Sequence, residues 1–292
     1  MFPSEFDYER AGSVEEAVDL LATHGENQVE ILAGGHSLLP TMKSGLANPD
    51  VVIDIGELDD LRGVDRHDDI VEIGALTDYS TVAGDDTLGD AIPAVTQAAQ
   101  AIGDVQVRNR GTVGGNLAHA DPASDLPAAA LAAEATLHAE GPDGHRTIPV
   151  DDFFTGLYGT DLVEGELLTA IEMPGHDIGT YVKKPSPSSG YAMVGVAAVF
   201  ELADGIVESA RVAATGAIDH AKRLTAVEEG LVGTALDEDA IASAAPQATD
   251  GIETFELMDD NQASAEYRST LLEVYTEQAL TAAADHTGTA IH

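Results

Sequence analysis

Val29-Glu30-Ile31-Leu32-Ala33-Gly34-Gly35-His36-Ser37 is the stretch that decides the fold. An apolar, β-branched run ends in paired glycines and two polar residues. That pattern predicts a buried strand over 29–33 that delivers its backbone into a tight, ligand-facing turn. A short helix over 38–46 and a strand over 51–55 follow. Upstream, Ser13 and Glu16 form a capping box, and Val14, Ala17, Val18, Leu20 and Leu21 give the helix an apolar stripe that Gly25 ends. Residues 1–56 therefore read as a βαβ-like unit.

Farther along, 70–74 reads as a strand and 90–102 as a helix with Ala91, Val95, Ala98, Ala99 and Ile102 on one face. A glycine-rich loop over 105–116 comes next, then a buried helix over 126–133. Segments 135–139 and 146–150 make a hairpin around Gly141-Pro142-Asp143-Gly144, and 167–173 is a strand. Pro174-Gly175 marks a boundary. Beyond it, strands over 180–184, 192–202 and 206–214 precede helices near 220–230, 237–248 and 263–285. That order gives an α+β C-terminal unit.

The second double glycine, Gly111-Thr112-Val113-Gly114-Gly115-Asn116, repeats the chemistry of the first. Glycine lets successive backbone N–H groups turn toward an anion, and the next helix N-terminus adds its dipole. Asp54 lies downstream of Gly35 as in a dinucleotide fingerprint, but Gly-x-Gly-x-x-Gly is missing, so a Rossmann site is disfavoured. Lys43-Ser44 lacks the preceding glycine of a P-loop. No zinc-type spacing, His-Glu-x-x-His or Gly-x-Ser-x-Gly occurs, and no acid–base pair stands out. Arg108 and Arg110 read either as surface ion pairs or as attraction for a diphosphate or a partner. Phosphate grips without catalytic groups suit a protein whose chemistry resides in a cofactor.

The chain has 292 residues with 13 Lys plus Arg against 52 Asp plus Glu, a net charge of −39. At about 100–200 residues per domain, this length allows two or three units. The charge repels nucleic acid and anionic membranes. No apolar run is long enough to span a bilayer, and the N-terminus has no secretory pattern. Cysteine is absent, so no iron–sulfur cluster, disulfide or thiol nucleophile belongs to this chain. Dispersed acids with few lysines fit a salt-rich cytoplasm, which screens self-repulsion; an unusually acidic mesophilic protein is the alternative.

The two loops, with Gln106-Val107-Arg108-Asn109-Arg110-Gly111, Ala118-His119-Ala120-Asp121-Pro122-Ala123-Ser124-Asp125-Leu126-Pro127, Asp152-Phe153-Phe154, Tyr191-Ala192-Met193-Val194-Gly195 and Ser264-Ala265-Glu266-Tyr267-Arg268, resemble the FAD-binding subunit of molybdenum hydroxylases. The pattern is that of medium subunits of aerobic carbon monoxide dehydrogenase and xanthine dehydrogenase-like relatives. The resemblance implies an α+β chain. Its FAD-binding fold is of the vanillyl-alcohol oxidase type in two subdomains, 1–56 and 57–176, with a C-terminal α+β domain over 177–292.

It also implies non-covalent FAD. Ala33, Gly34, Gly35, His36, Ser37 and Thr112, Val113, Gly114, Gly115, Asn116 would clasp the diphosphate. Asp125 would contact the nucleotide portion, Leu168 and Lys183 would be further flavin contacts, and Tyr191 would stand beside the isoalloxazine ring. Molybdopterin and [2Fe-2S] clusters are expected only on partners: a large and a small subunit, in a heterotrimer or its dimer. Electrons would pass from the clusters through FAD to a quinone, NAD or another acceptor. The family often has an arginine-bearing stretch ahead of its Tyr-Ala segment, where this chain has Lys184-Pro185-Ser186-Pro187-Ser188-Ser189-Gly190. A free-standing flavoprotein oxidoreductase of the same fold and a non-catalytic nucleotide scaffold are the competing readings.

Overall fold

The computed structural model describes residues 2–176 and 178–286. The expected boundary residue 177 and the last stretch, 287–292, lie outside the described residues. The N-terminal part is a three-stranded parallel sheet. Val51–Asp54 is central, with Asp7–Arg10 on one side and Val29–Leu32 on the other. Asp7-Tyr8-Glu9-Arg10 carries no apolar signal, so this edge strand was not expected. The strand expected to be buried, Val29–Leu32, is instead a half-exposed edge, while Val51, Val52 and Ile53 in the centre are buried. Helix Val14–Thr23 is capped as expected: Ser13 accepts from the Glu16 N–H. The Glu16 carboxylate returns to the Gly12 N–H, one residue earlier than the usual box.

A second, antiparallel sheet has five strands in the order Val64–His67, Ile70–Gly74, Leu167–Pro174, Thr136–Gly141, Gly144–Pro149. Its hairpin closes at Gly141 opposite Gly144, as expected. The helix expected over 90–102 is two helices, Asp86–Ala91 and Pro93–Ala101. Pro93 occupies the first turn of the second, where its missing N–H costs nothing. The segment expected as a loop over 105–116 is also corrected. It holds a one-turn helix, Val105–Arg108, and the double glycine lies in the first turn of helix Val113–His119.

The third sheet runs Ile178–Pro185, Ala192–Ala203, Ile206–Thr215, Lys222–Arg223. Residues 192–200 are all buried, because this strand is covered on both faces. One face packs Ala197, Val199 and Ala213 with Val95, Ala98, Ala128 and Leu131 from the second unit's helices. The other packs Val194, Val196 and Val212 with Leu272, Ala279, Leu280 and Ala283 of helix Ala265–His286. Burying one such valine or leucine contributes about 1.5–3 kcal/mol, which makes this sheet a rigid backing for the units before it. Arg211 reinforces the seam: it donates to Glu134, to both Asp151 oxygens and to the Leu131 carbonyl. Among the described residues no helix is long and apolar enough to cross a membrane.

Candidate functional site: a cleft between two glycine turns

The turn that ends strand Val29–Leu32 and the turn that opens helix Val113–His119 meet backbone to backbone. A β-carbon at Gly34 would lie 2.1 Å from the Arg110 carbonyl oxygen, so only glycine permits this contact. Gly35 is left-handed, with φ +76°, which directs the next amides into the space between the turns. Gly34, Gly114 and Gly115 do not have positive φ; their need for glycine is steric. Gly114 sits against Ala75, 2.5 Å from where its β-carbon would be. At Gly115 the β-carbon would meet Thr112 Oγ1 at 2.7 Å and Ala33 Cβ at 3.4 Å.

Between the turns runs a cleft of about 850 Å³, within the size range of small-molecule and cofactor sites. Ten of the fourteen expected site residues line it: Ala33, Gly34, Gly35, His36, Ser37, Thr112, Gly114, Gly115, Leu168 and Tyr191. The other four do not. Val113 is buried beneath the helix start. Asn116 donates to the Tyr79 hydroxyl at 3.0 Å and accepts from Ser124 at 2.8 Å, so it braces the cleft wall. Asp125, expected to contact a nucleotide, is buried and accepts from Tyr181 at 2.5 Å and from Lys183 Nζ at 2.9 Å. Lys183 also donates to the Ala101 carbonyl. Burial pushes the Asp125 carboxyl up, while the Lys183 ammonium and the Tyr181 hydroxyl pull it back down. This trio fastens the third sheet to the second unit. Lys183 and Tyr181 face a separate cavity of about 590 Å³.

The cleft's polar groups match an anion. Among the described residues, the backbone N–H groups of Gly34, Gly35, His36, Ser37 and Gly115 have no hydrogen-bond partner. The buried Thr112 hydroxyl has none either. Only the Thr112 hydroxyl is both buried and unpaired, which is costly; the amides of 34–37 and 115 are half-buried at the cleft and free to pair with an anion. Among the described residues no lysine or arginine lines the cleft, whereas Glu30, Asp121, Glu164 and Glu166 do. An anion here is held by amide dipoles against a negative surround. Arg108 turns away to the Ile102 carbonyl, and Arg110 is exposed, with no ion pair among the described residues.

One end of the cleft is aromatic. Tyr191 enters from the third sheet, Tyr79 forms a wall, and Tyr158 packs on His119 with ring centroids 5.3 Å apart. Burial, with Asp121 and Asp125, pushes the Tyr191 hydroxyl up, and the Ser37 side chain opposes that. Burial raises Tyr79 to about 12 and lowers His119, so both are neutral near pH 7. Tyr79, His119, Asp121 and Tyr158 went unrecognised in the sequence. His119 and Asp121 stand in the family stretch 118–127 without a site role of their own, and no group of three or more metal-ligating side chains is found among the described residues.

Residues 4–176 match the family described as FAD binding domain in molybdopterin dehydrogenase, and residues 180–283 match the CO dehydrogenase flavoprotein C-terminal domain. The chain belongs to the FAD-binding molybdopterin dehydrogenase family. It is 37% identical to the carbon monoxide dehydrogenase medium chain of Hydrogenophaga pseudoflava, covering 97% of this chain and 98% of that one. It is 36% identical to the glyceraldehyde dehydrogenase medium chain of Sulfolobus acidocaldarius, covering 96% and 98%. Its fold matches a solved structure of Hydrogenophaga pseudoflava carbon monoxide dehydrogenase lacking the Mo-pyranopterin moiety. The TM-score is 0.93, with 37% identity over 98% of this chain and 99% of that one. The expected family, fold class and FAD-binding character are thereby borne out. The row of free amides and the orphaned Thr112 hydroxyl fit the diphosphate of such a molybdopterin dehydrogenase flavin.

Proposed function

We propose that this chain is the flavin subunit of a multi-subunit molybdenum hydroxylase. Substrate is oxidised at a molybdopterin centre on a large subunit. A small subunit would carry the [2Fe-2S] clusters, and this chain would hold the FAD that links them to a quinone, NAD or another acceptor. Bound FAD supplies a centre that joins one-electron clusters to a two-electron acceptor. The observation that carries the reading is the cleft itself, with its unpaired amides converging from two glycine turns on one side of an aromatic wall.

In this reading Ala33–Ser37, Thr112 and Gly115 hold the diphosphate, while Gly114 and Asn116 shape the second turn. Leu168 and Tyr191 border the ring. Asp125 and Lys183 act from behind the cleft by holding the third sheet in place. The division into units 1–56, 57–176 and 177–292 is supported by the three main sheets, whose strands fall within 7–54, 64–174 and 178–223. We further propose a heterotrimer or its dimer in the cytoplasm of a halophile, supported by the absence of cysteine and the charge of −39.

In this reading the chain alone does not oxidise the substrate. Mixed anaerobically with carbon monoxide, purines or aldehydes, the flavin-loaded chain keeps its colour, whereas dithionite bleaches it. Rapid bleaching by any of these substrates, with iron and molybdenum absent, contradicts the proposal and favours a free-standing oxidoreductase.

A further inference from the structure

We propose that Gln262 and Arg268 are positioning residues that set Tyr191 against the cleft, so the C-terminal helix controls the aromatic wall of the cofactor site. This rests on the FAD reading for its consequence, though not for its geometry. Arg268 is on the first turns of helix Ala265–His286 and is only 4% exposed. One guanidinium nitrogen donates to the Met193 carbonyl at 2.8 Å and to the Gly216 carbonyl at 2.6 Å. The other donates to Asp260 at 2.7 Å. These carbonyls belong to the strand ends that carry Tyr191 toward the cleft.

The contact at those strand ends is tight. Gly216 has φ +82°, and a β-carbon there would lie 2.5 Å from the Ala192 carbonyl oxygen. Its N–H donates to the Pro122 carbonyl at 2.7 Å, and the Ala192 N–H donates to the Ala123 carbonyl at 3.1 Å. The Asp121–Ser124 segment, which gives Asp121 to the cleft, is thus pinned to the backbone that Arg268 holds. Tyr191 lies one residue before Ala192.

A second arm approaches Tyr191 from the other side. Asp260 Oδ1 accepts from the N–H groups of Gln262 and Ala263, which fixes the turn before the helix. The Gln262 side-chain oxygen then accepts from the buried Ser186 hydroxyl, and from Ser188 at 3.3 Å. The Ser186 N–H donates to the Tyr191 carbonyl at 2.7 Å, and the Gly190 N–H donates to the Ser186 carbonyl at 2.9 Å. Arg268 therefore grips Tyr191 through Met193 on one side and through Asp260, Gln262 and Ser186 on the other. The Pro-Ser stretch over 185–190 becomes an ordered strap, tied down by one acceptor oxygen.

Gln262 is exposed, so Gln262→Ala removes that acceptor without opening the core. In the full flavin-loaded chain, Gln262→Ala is expected to raise residual flavin fluorescence severalfold, because a displaced aromatic ring quenches less. Amide exchange across 186–191 should quicken, with the melting midpoint unchanged. Gln262→Glu keeps the acceptor oxygens and restores both readouts, and Arg268→Lys reproduces the fluorescence rise. Parental fluorescence and exchange in Gln262→Ala, or failure of Gln262→Glu to rescue, overturns the proposal. If the parent chain binds no flavin, the FAD reading fails, and the exchange measured without cofactor still decides whether the strap is held.

Discussion

Gly115→Val is expected to strip the protein of flavin while leaving its fold in place. The new branched side chain would enter the seat between Thr112 Oγ1 and Ala33, where the two turns converge. That position lines the cleft, the Thr112 hydroxyl it crowds can rotate away, and Ala33 Cβ is at ordinary contact distance. Gly114→Val differs, because its β-carbon meets Ala75 inside the core. Overpacking of that kind costs about 1–3 kcal/mol. The flavin-free form of Gly115→Val should therefore melt near the parent's flavin-free midpoint, and Gly114→Val clearly below it.

Thr112→Val gives a graded companion. It deletes one hydrogen bond to an anionic group, worth about 1.5–3 kcal/mol, and so weakens FAD binding roughly 10–100-fold. The flavin-free protein should not suffer, since the lost hydroxyl has no partner there. Titration of FAD into Gly115→Val and Thr112→Val, followed by absorbance, reads the two binding effects, and thermal melting of the flavin-free forms reads the loss of stability in Gly114→Val. Full occupancy in Gly115→Val would remove the second turn from the binding site.

The second large effect is the response to salt. Of the charged side chains 52 are acidic and 13 basic. In the second sheet Asp65 pairs directly with Glu72, and Glu72 with Glu172, so three carboxylates stand in a row across adjacent strands. Like charges directly opposed on a sheet are destabilising. The Debye length grows from ~3 Å at 1 M to ~30 Å at 0.01 M, so repulsions silent in strong salt act across the surface in weak salt. The melting midpoint should fall by on the order of 10 °C between those limits, and Glu72→Gln should recover part of the loss. Because four carboxylates and, among the described residues, no lysine or arginine line the cleft, flavin affinity should decline with the midpoint. A midpoint and affinity independent of salt would refute a salt-adapted surface.

The sequence made the fold legible where a pattern is local. The apolar run over 192–202 announces a strand, and Ser13 announces its helix. Paired glycines marked both turns, though their reason differs: at Gly34 and Gly114 the cause is close packing against Arg110 and Ala75, which no local pattern encodes. Asp7-Tyr8-Glu9-Arg10 was invisible as a strand because an edge strand needs no apolar face. Asp125 was expected at the ligand, yet its partners Tyr181 and Lys183 lie 56 and 58 residues away and draw it into a buried seam. Tyr79, His119 and Tyr158 are far apart along the second unit, and Tyr191 joins them only once the third sheet has packed against it. Thr112 was read as a backbone position, and its unpaired hydroxyl emerges only when its burial is known.

The most direct test of the central claim is elemental and flavin analysis of the chain, tagged and purified from the cells that make it. A flavin subunit of a molybdenum hydroxylase brings down two further chains, with iron and molybdenum in fixed proportion to FAD. Flavin recovered with this chain alone, free of both metals at every salt concentration used for purification, would contradict the account.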